Sequence, residues 1–127
     1  LVTTTDGSAQ FIITSGVLIS AAGYATLGVS SDETTNGGVS VEYVYSYDGF
    51  KLGNGDDTIR LENGNDILDT VNYTDADFPD TKGYSLSLNP GNLTASDNDT
   101  GANWCVASSA LTGGDYGTPS AENDTCR

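Results

Sequence analysis

The fold is decided by residues 52–73, LGNGDDTIRLENGNDILDTVNY. Polar and apolar side chains alternate over residues 58–61, as they do in a strand that is buried on one face. Asn63-Gly64 follows, and both residue types tolerate the positive φ angles that a tight hairpin turn demands. The apolar residues of the return strand fall on odd positions and so share one face: Ile67, Val71 and Tyr73. This stretch therefore predicts the central hairpin of an all-β protein.

The same stretch also contains part of a calcium-binding β-roll pattern. Residues 53–59, GNGDDTI, fit most of a Gly-x-Gly-x-Asp-x-aliphatic repeat, and residues 63–68 partly repeat it. Aspartates supply hard oxygen ligands to Ca²⁺, and the candidates are Asp56, Asp57 and Asp66. Glu62 stands where the second copy needs a glycine, and there is no third copy. The plain hairpin is therefore favoured, and calcium is the only cofactor that the sequence suggests.

Length and composition favour one domain that is built from strands. A chain of 127 residues suits a single domain with its own core, so we predict one domain over residues 1–127. Gly, Thr, Ser, Asn and Asp are abundant, which favours strands and turns. No window shows sustained apolar spacing at three and four residues, so little helix is expected. Further strands are predicted at residues 10–15, 24–29, 40–47 and 83–88, and around Trp104.

The net charge of −14 limits the class of partner. Four basic residues oppose eighteen carboxylates, and the chain has no His. Such a surface repels phosphate backbones and anionic membranes over a Debye length of roughly 8 to 10 Å. The apolar runs are too short to cross a bilayer. We therefore expect neither nucleic-acid binding nor membrane insertion.

Two cysteines, Cys105 and Cys126, lie near the C-terminus. Without His they cannot form a Cys–His dyad or a Cys₂His₂ zinc site. A disulfide between them is the leading interpretation, and two buried free thiols are the alternative. A disulfide would place the protein outside the reducing cytosol, so we expect it to be secreted or exposed at a cell surface. The chain begins at Leu1 without an initiating Met, as a processed product would.

Residues 40–47 predict the cleanest strand of the chain. One face of this strand carries three tyrosines: Tyr43, Tyr45 and Tyr47. A row of this kind can serve as a platform on which carbohydrate stacks, but it is more often part of a core or of a cross-strand aromatic cluster. The three tyrosines are therefore candidate binding residues with a structural alternative.

Four Asn-x-Ser/Thr sequons are candidate glycosylation sites: Asn72, Asn92, Asn98 and Asn123. Several of them would arise by chance in a chain so rich in Asn, Ser and Thr. They matter only if the source glycosylates its secreted proteins.

The order of several motifs resembles that of the lamin tail domain. The motifs are Phe50-x-Leu52-x-Asn54-Gly55-x-Asp57-x-Ile59-x-Leu61, Leu68-Asp69-x-Val71-x-Tyr73, Gly83-Tyr84-Ser85-Leu86, Trp104, and Gly117-Thr118-Pro119-Ser120-Ala121-x-Asn123. The chain is similar, from Phe11 to Cys126, to the bacterial secreted form of this domain, which carries a closing cysteine pair. The resemblance implies an immunoglobulin-like β-sandwich with antiparallel strands, and a binding or scaffolding role.

The sequence departs from the family in two places. Ser120 replaces the glycine that closes the family's Gly-Thr-Pro-Gly motif. The family's opening strands also have no counterpart before Phe11, and their loss would expose edge backbone and core surface. Either the sequence is truncated there, or residues 1–10 are an N-terminal extension or a substitute edge strand, or a neighbouring chain covers the gap. We favour the neighbouring chain.

The residues form no catalytic set. Without His, and without a Ser or Cys beside a base, acyl transfer lacks an activated nucleophile. Carboxylates are abundant, but nothing in the pattern places two of them for glycoside hydrolysis, so a hydrolase fragment is the least favoured class. We expect a non-enzymatic extracellular structural or adhesive module that self-assembles into a homopolymer or filament, or whose open edge another surface protein covers. The alternative is a calcium- or carbohydrate-binding module within a secreted protein.

Overall fold

A computed structural model of the chain describes residues 1–3, 9–14 and 16–127. Within those ranges the regular structure consists of eight strands and one short 3₁₀ helix, Gly101–Asn103. The strands are β1 (Val2–Thr3), β2 (Gln10–Phe11), β3 (Leu27–Gly28), β4 (Tyr43–Val44), β5 (Asp57–Asn63), β6 (Asp66–Tyr73), β7 (Leu86–Leu88) and β8 (Trp104–Val106). The prediction of an all-β protein with antiparallel sheets is confirmed, and the arrangement is sandwich-like.

The predicted β5–β6 hairpin is present and contains the two longest strands, although β6 lies at the edge of the sheet and not at its centre. Its ladder runs from the pair Asp57–Tyr73 to the pair Asn63–Asp66. Gly64 adopts a φ of 63° in the connecting turn, a conformation that glycine reaches without the steric cost of a side chain. The turn is nevertheless one residue later than predicted. Asn63 is the last residue of β5 and has no positive φ, so the two turn residues are Gly64 and Asn65 and not Asn63 and Gly64.

A β-bulge in β6 changes which residues share a face. Leu61 pairs with Asp69, but Glu62 pairs with Ile67, so Leu68 is an extra residue on the return strand. Ile67 consequently faces the side of Glu62 and not the side of Val71. The prediction that Ile67, Val71 and Tyr73 share one face is wrong for Ile67, because a bulge shifts the period-two pattern by one position.

Residues at the N-terminus complete the largest sheet. Its strand order is β2-β1-β5-β6, and all of its pairs are antiparallel. Val2 and Thr3 are buried, and the amino group of Leu1 donates to the carbonyl of Glu62 at 3.0 Å. Residues 1–10 were predicted to be an extension or a substitute edge strand. Val2 and Thr3 do form a strand, but it lies inside the sheet, between β2 and β5. Residues 4–8 lie outside the described part of the chain.

Other predicted strands are shorter than their sequence pattern suggested. The predicted strand over residues 40–47 is regular only at β4, and that over residues 24–29 only at β3. These two strands pair in parallel, with Leu27 opposite Tyr43, whereas antiparallel pairing was expected throughout. Alternation reports that one face is half-buried, but it carries no information on the direction of the neighbouring strand.

The second layer is built from β7 and β8, which pair antiparallel with Leu88 opposite Trp104. Successive side chains alternate between faces, so Ser87 and Cys105 point away from the Trp104 face. On that outer side Cys105 forms a disulfide with Cys126, with 5.6 Å between their Cα atoms. The predicted disulfide is confirmed, and the free-thiol alternative is wrong because both cysteines of the chain are bonded.

Candidate binding groove

A groove of about 320 Å³ lies between the β5–β6 hairpin and the β7–β8 layer. The hairpin contributes Ile59 and Val71, which are partners in the ladder and so share one face. The other wall consists mainly of apolar and aromatic side chains, among them Phe78, Tyr84, Leu86 and Trp104. The groove is thus the part of the space between the layers that the chain itself does not fill.

Local contacts fix the aromatic walls of the groove. The rings of Phe78 and Trp104 lie 5.8 Å apart, centroid to centroid. The indole N–H of Trp104 donates to the carbonyl of Asn98 at 2.8 Å, so its polar atom is satisfied outside the groove. Tyr84 stacks on Tyr116 with 4.4 Å between ring centroids. These partners leave apolar ring surface facing the groove.

The rim of the groove is acidic. Asp75 and Asp80 both line it, and the carboxylate of Asp56 accepts a hydrogen bond from the backbone N–H of Asp75 at 3.0 Å. The hydroxyl of Tyr73 donates to the carbonyl of Gly53 at 2.6 Å. Burial raises the pKa of Tyr73 to about 12, and the negative charge of Asp57 adds to that rise. The groove therefore offers an apolar floor, a neutral phenol and a negative rim.

The three aspartates predicted to bind calcium do not come together. Asp57 pairs with Tyr73 at one end of the hairpin, and Asp66 pairs with Asn63 at the other. The carboxylate of Asp57 accepts hydrogen bonds from the backbone N–H groups of Gly53 and Thr58, both at 2.7 Å. The second half-repeat is the hairpin turn and the start of β6, so the two half-repeats do not stack as β-roll turns do. Within residues 1–3, 9–14 and 16–127, no three acidic or cysteine side chains are grouped as metal ligands.

The predicted tyrosine platform is divided between two environments. Phe11 stacks on Tyr45 and Tyr43 with centroid distances of 4.5 and 6.0 Å, and Phe50 meets Phe11 edge-on at 5.2 Å. Tyr43 and Tyr45 therefore belong to an aromatic cluster, which was the structural alternative. Tyr47 lies outside that cluster and is exposed, with the ammonium of Lys51 4.7 Å from its ring centroid.

The four sequons differ in how accessible their side-chain nitrogens are. Asn98 is buried, and its amide donates to the carboxylate of Asp69 at 2.6 Å. The amide of Asn123 donates to the carbonyl of Leu88 at 2.9 Å. A glycan on either nitrogen would displace these contacts. Asn72 is exposed on β6 and Asn92 is half-buried, so the folded chain accommodates a glycan most readily at Asn72.

Residues 16–31, which we call the uncharged segment, form the second feature of interest. Leu18 is 95% exposed, the largest value among the exposed large hydrophobic side chains, and Ile19 is also exposed. The backbone groups of residues 17–19 make no hydrogen bond to any described residue. The structure places no strand or helix over residues 17–19.

The sequence pattern does not predict the groove, because the walls of the groove come from residues that are far apart in the chain. Tyr73, Phe78, Tyr84 and Trp104 meet only through the packing of two layers. The one local signal was Trp104 beside Cys105, which indicated a strand that enters the core.

Comparison with known proteins adds no relative. No protein-family model, curated protein or solved structure matches the chain. The resemblance to the lamin tail domain therefore depends on the sequence motifs alone. Among the described residues, no helix is long and apolar enough to cross a membrane.

Proposed function

We propose that this chain is a non-enzymatic extracellular structural module whose copies associate with one another. The disulfide supports an extracellular location, because such bonds persist in oxidising compartments. The resemblance to the lamin tail domain implies a scaffolding role, and the proposal agrees with that expectation.

The observation that carries the proposal is the amount of apolar surface left uncovered. Among the described residues, only four apolar side chains are almost fully buried: Val2, Phe50, Phe78 and Ala107. Fourteen large hydrophobic side chains are exposed: Ile12, Leu18, Ile19, Tyr24, Val29, Val44, Tyr47, Leu52, Ile59, Leu61, Ile67, Leu68, Tyr84 and Leu93. Single exposed apolar residues are ordinary, but contiguous ones mark interaction surfaces.

The total accessible surface supports the same proposal. The chain exposes 7989 Å². A compact monomer of 13.1 kDa exposes about 6,400 Å². The surplus of roughly 1,600 Å² is about twice the roughly 800 Å² that each partner contributes to a standard protein–protein interface.

The free edge of the largest sheet supplies a place for association. β6 is eight residues long and ends the strand order β2-β1-β5-β6. Soluble proteins usually protect such an edge with Lys, Pro or a covering loop, and β6 contains neither Lys nor Pro. Its protection against further pairing consists of the bulge at Leu68, the charges of Asp66 and Asp69, and the contact of Asp69 with the amide of Asn98, while its backbone edge stays unpaired with any further described strand.

Sedimentation velocity over a range of protein and salt concentrations tests the proposal. We expect the mean mass to rise with protein concentration, and to rise further when salt screens the repulsion between copies that each carry −14. The double variant Ile67→Lys/Leu68→Lys should weaken association, because inward or edge lysines block strand pairing. A chain that stays monomeric at millimolar concentration and physiological salt would contradict the proposal.

One observation favours a second function, carbohydrate binding. Aromatic rings and carboxylates line the groove together, and sugars stack on rings while their hydroxyls bond to carboxylates. Titration with neutral oligosaccharides, followed by Trp104 fluorescence, tests this alternative. A saturable change in a chain that remains monomeric would favour it over self-association.

A further inference from the structure

The next inference rests on the proposed function and names the two surfaces that meet. We propose that the uncharged segment of one copy docks into the groove of a second copy, where it adds a strand beside β6 and inserts Leu18.

The donor segment has exposed apolar side chains and backbone groups that bond to no described residue. Its side chains at Leu18 and Ile19 are exposed and apolar. Its backbone over residues 17–19 makes no hydrogen bond to a described residue. A strand that joins a sheet edge satisfies both at once, because main-chain bonds give affinity and alternate side chains enter a pocket. Gly16 and Ser20 flank Leu18 on the same strand face, so the backbone can approach the groove closely.

Charge selects this segment over every other part of the chain. Residues 7–31 contain no charged side chain, a run of 25 residues in a chain of net charge −14. The next longest uncharged run, residues 100–114, already contains β8. A segment that carried carboxylates would be repelled by Asp75 and Asp80 at the rim of the groove. The uncharged segment approaches this rim without that penalty.

The acceptor combines a free edge with an adjacent hollow. Val71 and Tyr73 belong to β6 and line the groove. A strand added beside β6 would continue the sheet, and every second side chain would then lie over the same groove. The walls at Phe78, Leu86 and Trp104 are apolar, so they match an aliphatic side chain such as that of Leu18.

The segment does not fill the groove of its own copy, because Leu18 is 95% exposed and no residue of the segment lines that groove. The uncharged segment follows β2, which forms one edge of the sheet, and the acceptor edge is β6 at the other. Three strand spacings separate these edges, about 14 Å. The hydroxyl of Tyr43 also donates to the carbonyl of Ile12 at 2.8 Å, which ties the chain just before the segment to the aromatic cluster.

Donor and acceptor on opposite edges make the contact heterologous. Each copy that receives a segment still presents its own, so association continues from copy to copy and forms an open filament unless a ring closes. This geometry distinguishes the inference from a two-fold dimer, in which one patch contacts itself.

The test uses two full-length variants that disable one partner each. Leu18→Asp places a charge on the donor and leaves the groove intact. Thr81→Trp fills the groove from its exposed rim and leaves the donor intact. We expect each variant alone to be monomeric, with association weakened by about 100-fold or more. An equimolar mixture should form 1:1 dimers and nothing larger, because one functional donor meets one functional groove.

Leu93→Asp is the matched control. It adds the same charge at another exposed leucine that does not line the groove, and it should associate as the unmodified chain does. If Thr81→Trp fails to fold by circular dichroism, a synthetic peptide of residues 10–20 replaces it and should shorten the assemblies of the unmodified chain.

The outcomes separate this inference from the function on which it rests. If Leu18→Asp assembles as well as Leu93→Asp, or if the mixture stays monomeric, the segment-in-groove contact is wrong while self-association stands. If the peptide leaves assemblies unchanged, the contact is equally wrong. If the unmodified chain never associates, the proposed function itself fails.

Discussion

The C-terminal region, residues 84–127, and the N-terminal region, residues 9–47, differ in how far each satisfies its own bonding groups. The C-terminal region is closed by the Cys105–Cys126 disulfide. In the N-terminal region the described strands are two residues long, and several apolar side chains face solvent. A covalent bond closes the C-terminal region, whereas no such bond closes the described part of the N-terminal region.

This difference follows the distribution of charge. The C-terminal region, which the disulfide closes, also carries carboxylates that make polar contacts. One of them, Asp124, accepts hydrogen bonds from two backbone N–H groups, at 2.7 and 2.8 Å. Residues 17–19 of the uncharged segment carry no polar side chain, so their stabilisation must come from packing. Copies of an acidic protein can associate only through a surface that carries little charge, because carboxylates on the rest of the surface repel one another.

The largest expected effect concerns the aromatic cluster that holds the N-terminal region to the hairpin sheet. Phe50 is 4% exposed and meets the rings of Phe11 and Tyr45. Phe50→Ala should lower the free energy of unfolding by about 3 to 5 kcal/mol, through lost apolar burial and the cavity left behind. Urea denaturation followed by circular dichroism measures the change.

Tyr47→Ala is the control for this variant. Tyr47 is an aromatic residue of the same segment, but it is exposed and lies outside the cluster. Its loss should change the free energy of unfolding by less than about 0.5 kcal/mol. Equal effects of the two substitutions would show that the cluster does not anchor the N-terminal region.

The next effect concerns the covalent closure of the C-terminal region. Cys105→Ser/Cys126→Ser should lower the free energy of unfolding by about 3 kcal/mol, because the unfolded chain regains the entropy of a loop of this length. The sequence separation of the two cysteines is 21. Reductant should destabilise the unmodified chain by a similar amount and leave the double variant unchanged. Hydrogen exchange should quicken in β7 and β8 more than in β5 and β6.

The features that sequence reasoning predicted are those with a local signal. The hairpin follows from Asn63-Gly64 between two alternating runs, and its turn forms within four residues. The disulfide follows from there being only two cysteines, Cys105 and Cys126, and no His to compete for a metal role. The lack of long helices follows from the absence of helical spacing.

The remaining features depend on contacts between distant residues. Nothing near Leu68 indicates that it becomes the bulge residue of β6. The parallel pairing of β3 with β4 depends on the loop between them, in which the amide of Asn36 donates to the carbonyls of Ser30 and Val39. Aspartate spacing suggested a calcium site, but hairpin pairing carries Asp66 away from Asp57. Local patterns predict elements, and the partners of those elements are set by the whole chain.

The smallest expected effect compares two carboxylates, Asp124 and Asp32, whose pKa values are both lowered. For Asp124 the cause is hydrogen bonds, first from the backbone of Ser108 and then from Ser109; for Asp32 it is hydrogen bonds from the side chain and backbone of Thr34. Because each pKa is lower in the folded state, the stability that each carboxylate contributes is present above its unfolded pKa and is lost as pH falls through its folded pKa.

The two carboxylates differ in the length of chain that they close. Asp124 accepts hydrogen bonds from residues 15 and 16 positions away, whereas Asp32 accepts from Thr34, only two positions away. A short contact also forms in part in the unfolded chain, so its loss should matter less. Asp124→Ala should therefore destabilise the protein more than Asp32→Ala at neutral pH, and both differences should vanish as the buffer is acidified below the folded pKa values. Thermal unfolding of the three proteins between neutral and strongly acidic pH measures this. If Asp32→Ala is the more damaging substitution, then closure of the C-terminal region does not come from its long-range polar contacts, and the contrast between the two regions reduces to the disulfide alone.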